Sequence, residues 1–355
     1  MKLKKFFAGV LAAAMMLTVG ATAAFATNTT DTTNSMIVAD GNGVANATLT
    51  KKLVVAEGIA PQSMTFNFTG GAGQADTAKS VKAGTIGEGF EQPSVTFSKT
   101  GNEQFTVNTY SQNFNIDLVK LLGSNSNKVG KYAYTISEND TKIPGITKDN
   151  RTLKMIVTVV NKTSENLDYN TGYGYYVGLF NQDGSKADDF TNTYNAYNLT
   201  VKKVVKGNFA DLNDTFTFNI TLSKDANKDN NYAGATVTVS DNANPANKAS
   251  WAIDGTTRTI TLKHNQSAII SNLPVGVTYT VTETQGDGWV YKTDGEVKTA
   301  TAINAEKNEV TIINEHEGTP DMGVILDNAP YIALLAIVAI GGVALMLNKR
   351  RRDEE

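Results

Sequence analysis

Cysteine is absent from this 355-residue chain, and histidine occurs only twice, at His264 and His316. Without Cys there is no disulfide, no thiol nucleophile, no Cys-ligated zinc and no iron–sulfur cluster, and two His leave little for an imidazole metal site. No metal or cofactor is expected. No Ser/His/Asp or paired-carboxylate hydrolase arrangement can be assembled either, so an enzyme is the least supported class. A basic excess is also missing: the formal net charge is −3, which argues against nucleic acid as a partner. What the chain does have is apolar content for real cores, 41% hydrophobic against 19% charged, over a length that suits two or more domains.

The two ends read as addresses. Lys2, Lys4 and Lys5 precede an apolar run from Phe6 to Val19 and small residues ending in Ala24-Phe25-Ala26, an A-x-A cleavage pattern. Residues 1–26 therefore read as a signal peptide; a membrane anchor is the competing reading, weakened by the short apolar stretch. Residues 27–46, rich in Thr, Asn and Gly without apolar period, read as a flexible lead-in. Near the other end, Ala329 to Leu347 is almost unbroken apolar sequence followed by Lys349, Arg350, Arg351 and Arg352. Residues 329–348 read as a transmembrane helix and 349–355 as a cytoplasmic tail, leaving everything between outside the membrane. An exported chain without Cys fits a surface where disulfides are not relied upon, as in many Gram-positive bacteria.

Residues 317–328 hold Thr319-Pro320-Asp321-Met322-Gly323 upstream of the span. The order pentapeptide, hydrophobic span, basic tail resembles a sortase sorting signal of the LPxTG class. That resemblance implies cleavage before Gly323 and makes Met322 the acyl donor passed to an amine. Thr319 stands where Leu is usual, and Met322 where Thr is usual. A dedicated pilus sortase and an uncleaved membrane anchor both remain open.

Between the ends, short runs of alternating apolar and polar residues recur at 48–55, 64–69, 94–98, 104–109, 132–138, 152–161, 174–180 and 188–194. Only 114–122 reads as helical. A second series follows at 198–206, 214–223, 235–240, 257–263, 267–272, 278–284, 289–292 and 308–314. The fold expected is all-β, two tandem immunoglobulin-like β-sandwiches at 47–195 and 196–316. The junction near Tyr194 to Asn198 is too short to let them swing freely.

The two series repeat one order of polar residues. Each opens with a Lys in its first strand (Lys51 in ATLTKKLVV, Lys203 in LTVKKVVKG), has a Glu closing a Tyr-bearing strand (Glu138 in YAYTISE, Glu283 in VTYTVTE), and ends with an Asn in its last strand (Asn192 in DDFTNTY, Asn314 in VTIINEH). Strand residues two apart share a face. Lys51 thus sides with Leu49, Leu53 and Val55, and Lys203 with Leu199, Val201 and Val205. Glu138 sides with Tyr134 and Ile136, Glu283 with Tyr279 and Val281, Asn192 with Phe190 and Tyr194, and Asn314 with Val310 and Ile312. Lys52 and Lys202 take the opposite, solvent side. All six polar residues fall on apolar faces, where an isolated charge is costly. Burial lowers the pKa of an amine and raises that of a carboxyl. A neutral Lys amine can then attack the Asn carboxamide while the Glu shuttles protons and ammonia leaves. The product is a Lys–Asn isopeptide bond, made once per site.

With these motifs in view, both series resemble the isopeptide-containing domains of Gram-positive backbone pilins of the streptococcal T-antigen type, over about residues 45–316. The motifs that carry it are LTVKKVVKG at 199–207, NLPVGVTYTVTE at 272–283 and FTN at 190–192. The resemblance implies Lys51–Asn192 and Lys203–Asn314 bonds with Glu138 and Glu283 as catalytic partners. It also implies polymerisation by sortase into a cell-wall-attached pilus of identical subunits, with minor pilins and host surface ligands as further partners and the membrane engaged only through the C-terminal span. The intermolecular acceptor in such pilins precedes the last strand of the first domain. Lys186, in Gly184-Ser185-Lys186, holds that place, with Lys131 and Lys206 as fallbacks. A monomeric wall-anchored adhesin using the same domains as a stalk is the alternative.

Other signals carry less. Asp225 to Asp229 lacks the Gly and Glu of a calcium loop and reads as a solvated turn. Gly70 to Gly73 reads as a hairpin turn, and Tyr169, Tyr173, Tyr175 and Tyr176 as strand packing.

Overall fold

The computed structural model describes residues 36–164, 167–229, 235–240, 248–284, 290–292, 298–305, 308–319 and 329–352. Residues 1–26, expected to be a signal peptide, residues 27–35 of the expected lead-in, Pro320 to Gly323 and the tail residues 353–355 lie outside them.

The first domain is built on strand alternation. Its opening strand, Asn46–Glu57, buries every second residue from Ala47 to Val55. It is hydrogen-bonded on one side to Asn108–Asp117, antiparallel, and on the other to the strand that begins at Asp189, parallel. Facing this layer is a second sheet in the order Ile37–Val38, Leu167–Phe180, Thr152–Ser164, Gly130–Glu138, Ser63–Ala72, Ser94–Ser98, with Val81–Ala83 added in parallel to Gly130–Glu138. The core between them is aromatic, with Phe68 stacked on Phe114 at 4.2 Å between ring centroids.

The second domain repeats the plan. One sheet runs Lys248–Trp251, Ala235–Ser240, Ser267–Pro274, Asp189–Lys206, Asn308–Glu315, Val290–Lys292; the other runs Thr257–Leu262, Phe216–Ser223, Thr278–Glu283, Lys298–Ala302. The fold is the expected all-β tandem sandwich.

A single 18-residue strand, Asp189–Lys206, closes the first sandwich and opens the second. Its inward residues are even-numbered in the first domain (Phe190, Asn192, Tyr194, Ala196) and odd-numbered in the second (Leu199, Val201, Lys203, Val205). The change of phase coincides with a register shift against Ser267–Pro274 between Tyr197 and Leu199. Such an irregularity moves one set of side chains to the other face without ending the strand. Contacts on both sides brace the joint: the Asn272 side-chain carbonyl accepts from Ile59 N–H at 2.7 Å, and Lys228 Nζ donates to the Thr141 carbonyl at 3.0 Å. Gly58 faces this joint at φ +79°, where a Cβ would meet Ala196 Cβ at 2.7 Å and Asn272 Oδ1 at 2.8 Å.

Several sequence expectations are corrected. Residues 36–46 are not a flexible lead-in: Ile37 pairs with Tyr175 and is buried, and Ala45 is buried too. The expected strand at 104–109 begins only at Asn108 and runs to Asp117. Asn113 and Asn115 on its outer face bond Thr50 and Thr48, so its polarity hid a paired strand. Of the helix expected at 114–122, only Leu118–Leu122 is helical, started by the Asp117 carboxylate accepting from Val119 and Lys120 N–H. Gly70 and Gly71 lie inside a strand rather than a turn; a Cβ at Gly71 would sit 2.8 Å from Thr135 Oγ1. The turn at Asp225 to Asp229 docks on the first domain, with Asp229 N–H bonded to the Lys142 carbonyl.

Beyond the sandwiches, Ala329–Arg352 is one helix, of which Tyr331–Arg350 has the length to cross a membrane and holds an 18-residue stretch of mean hydropathy 2.3.

Candidate functional site

The parallel pairing of opening and closing strands sets the site. In the first domain Lys51 lies opposite Phe190, with Asn192 two residues on; in the second Lys203 lies opposite Ile312, with Asn314 two residues on. The offset is the same twice, and a two-residue step keeps Lys and Asn on one inward face. Each Glu comes from the opposing sheet in matching register: Glu138 pairs with Phe68, and Glu283 with Phe218.

The structure brings together Lys51, Glu138 and Asn192, and separately Lys203, Glu283 and Asn314. Lys51 Nζ donates to Glu138 Oε2 at 2.6 Å, and Asn192 Nδ2 donates to Glu138 Oε1 at 2.5 Å. In the second domain Lys203 Nζ donates to Glu283 Oε2 at 2.8 Å, and Asn314 Nδ2 to Glu283 Oε1 at 2.5 Å. Both Lys and both Asn are fully buried. Each carboxyl thus holds an amine and a carboxamide by its two oxygens.

Desolvation dominates the electrostatics. Burial pushes the Lys51 amine below its usual value despite the opposing pull of Glu138, and it pushes Lys203 down in the same way. Burial likewise raises Glu138 against the stabilising effect of Lys51. In the first pair both shifts favour the neutral amine and the protonated carboxyl.

Two features went unread in the sequence. Aromatic rings wall each amine: Lys51 Nζ lies 5.0 Å from the Phe66 ring centroid and Lys203 Nζ 4.1 Å from that of Phe216. The signal was there as a repeat, Thr65-Phe66-Asn67-Phe68 against Thr215-Phe216-Thr217-Phe218. The second feature has no such signal. The Asn192 side-chain carbonyl accepts from Asp149 N–H at 2.8 Å, and Asp149 is forked by Arg151. Asn314 Oδ1 accepts no hydrogen bond among the described residues.

Lys186 is exposed on a tight hairpin in which Asn181 N–H bonds the Ser185 carbonyl and Gly184 takes φ +84°. Lys131 and Lys206 are exposed too. Thr319 is the last described residue before the remainder of the pentapeptide, and its Gly318 neighbour is bonded to Asn208.

Comparison with known proteins identifies the family. Residues 47–195 match the family described as "Spy0128-like isopeptide containing domain", and residues 197–316 match a domain family of unknown function. A curated relative, "Pilin" of Streptococcus pyogenes serotype M1, is 30% identical over 286 residues, covering 74% of this chain and 79% of that protein. The fold is similar to a crystal structure of the major pilin from S. pyogenes (TM-score 0.52, 24% identity, 78% of this chain and 99% of that one). It is also similar to the T3.2 major pilin of that species (TM-score 0.50, 23% identity, 77% and 98%). With a curated relative at that identity over most of both chains, this protein belongs to the pilin family and carries an isopeptide-containing domain over residues 47–195.

Proposed function

We propose that the chain is the backbone subunit of a sortase-assembled surface pilus, with each sandwich locked by a self-formed bond, Lys51–Asn192 in the first and Lys203–Asn314 in the second. The observation that carries this reading is the doubled geometry, an identical Lys-to-Asn offset with one buried carboxyl contacting both groups in each domain. The neutral amine attacks the amide carbon. The protonated Glu gives its proton to the departing nitrogen and recovers one from the attacking amine, so an amide and ammonia are formed with no other reagent. Glu138 and Glu283 act once each, and the protein is not a turnover enzyme.

Polymerisation in this reading joins Met322, after loss of Gly323, to the Lys186 amine of a neighbouring subunit. The exposed, hydrogen-bonded hairpin supports Lys186 as the acceptor. Residues 1–26 export the chain, and 329–348 hold it at the membrane until Thr319-Pro320-Asp321-Met322-Gly323 is processed, placing the product on a Gram-positive cell wall.

The deciding measurement is the intact mass of the ectodomain, residues 27–318, beside Glu138→Ala and Glu283→Ala. Loss of two ammonia equivalents in the unsubstituted protein and of one in each variant is expected. An unmodified mass would reduce the trios to buried hydrogen-bonded groups.

A further inference from the structure

The attack on Asn192 moves negative charge onto its side-chain oxygen, and the group that meets this oxygen is a backbone donor. We propose that Asp149 N–H is the oxyanion donor for the first-domain cross-link and that Arg151 is the residue that positions and neutralises it. This rests on the isopeptide reading above.

The geometry has two parts. Asp149 N–H reaches Asn192 Oδ1 at 2.8 Å, within the range at which a preorganised donor stabilises a developing oxyanion. The donor is then held from several sides. The Asp149 carboxylate accepts from Thr191 N–H at 2.9 Å, one residue before the reacting Asn, and from Arg151 Nε and Nη2. Arg151 Nη2 also donates to the Asp189 carbonyl at 2.7 Å, and Lys148 Nζ to the Glu138 carbonyl at 3.2 Å. The loop 148–151 is thereby tied to the strands that supply Glu138 and Asn192.

Charge explains the Arg. A carboxylate beside a forming oxyanion opposes it, and Asp149 is buried. A guanidinium forked onto that carboxylate cancels the repulsion and leaves the N–H dipole to act. Bond formation and breakage are unchanged: Lys51 Nζ bonds to Asn192 Cγ, the oxygen carries the charge transiently, and ammonia leaves with the proton relayed by Glu138. The second domain supplies an internal control, because residues 148–151 face only the first site.

The test follows the full chain during cell-free synthesis in detergent micelles, with samples quenched in acid and the 51–192 and 203–314 cross-linked peptides quantified over time. Three changed chains are compared with the unsubstituted one: an ester in place of the Lys148–Asp149 amide, which removes one N–H and no side chain; Arg151→Ala; and Arg151→Ala with Asp149→Asn. The ester is expected to slow the 51–192 bond about a hundredfold at every pH without moving the pH midpoint, while 203–314 forms at its normal rate. Arg151→Ala slows the same bond, and adding Asp149→Asn restores most of the rate by removing the uncompensated charge. A purely structural Arg151 gives no such rescue. Formation of 51–192 at the normal rate in the ester chain overturns the proposal. If circular dichroism shows the ester chain unfolded, the Arg151 pair decides, and failure of Asp149→Asn to restore the rate overturns it. Absence of both cross-links from the unsubstituted chain instead sinks the isopeptide reading.

Discussion

Tension in a fibre built through Lys186 and Met322 would follow a path that leaves most of the protein unloaded. Force entering at Lys186 runs along the strand Asp189–Lys206, which is already extended, as far as Lys203. The cross-link to Asn314 would then carry it directly to the end of the last strand. The roughly 110 residues from Val204 to Ile313 are bypassed; at about 3.3–3.6 Å per residue they hold about 380 Å of hidden length. Because the chain has no Cys, single cysteines at positions 186 and 319 make unique handles for force spectroscopy of residues 27–319. The unsubstituted sandwiches are expected to show no unfolding step between these handles. Glu283→Ala, which prevents the second bond, releases a step of about 380 Å. Glu138→Ala changes nothing between these handles. With the first handle moved to position 46, it releases the roughly 140 residues from Lys52 to Thr191, about 480 Å. A 380 Å step in the unsubstituted protein would refute the load path.

Other outcomes follow from the same geometry. Each proposed cross-link would close a loop of over a hundred residues, and Asn192→Ala, which prevents one, is expected to cost about 5 kcal/mol by loop-closure entropy and to lower the first domain's Tm by about 10–20 °C in calorimetry. The reacting form needs a neutral Lys51 and a protonated Glu138. Acid protonates the amine, base ionises the carboxyl, and burial moves the two limbs toward each other, so the rate of 51–192 formation is bell-shaped in pH; a monotonic rise toward the ordinary lysine value of 10.5 would contradict the desolvated pair. Phe66→Ala opens the amine to water and removes a core ring at a cost of about 3–5 kcal/mol, and peptide mapping should show a reduced yield of the 51–192 bond but not of 203–314. Lys186→Ala is expected to abolish high-mass ladders in immunoblots of the native host's wall extract; unchanged ladders would move the acceptor elsewhere, Lys131 and Lys206 first.

Much of this protein is legible one residue at a time. Period-two alternation is a local property, so it identified Lys51 rather than Lys52 and Lys203 rather than Lys202, and placed all six trio residues on inward faces that the structure buries. The repeated order of Lys, Glu and Asn predicted which residues would meet, because two domains of one plan impose the same register twice. Where alternation is weak, the reading failed. Asn108–Asp117 shows mostly polar residues because its outer face bonds Thr48 and Thr50, and Ile37–Val38 is too short to carry a period.

What only the tertiary structure decided is of another kind. The change of inward phase between Ala196 and Leu199 depends on a register shift against a strand some seventy residues away, and no residue letter announces it. The Arg151 guanidinium at the Asp189 carbonyl and the Asp149 N–H at Asn192 each join positions about forty residues apart, the second through a main-chain donor. Every residue but proline owns such a donor. Side-chain chemistry is written in the sequence, whereas the partner of a given backbone N–H is settled by how distant segments pack.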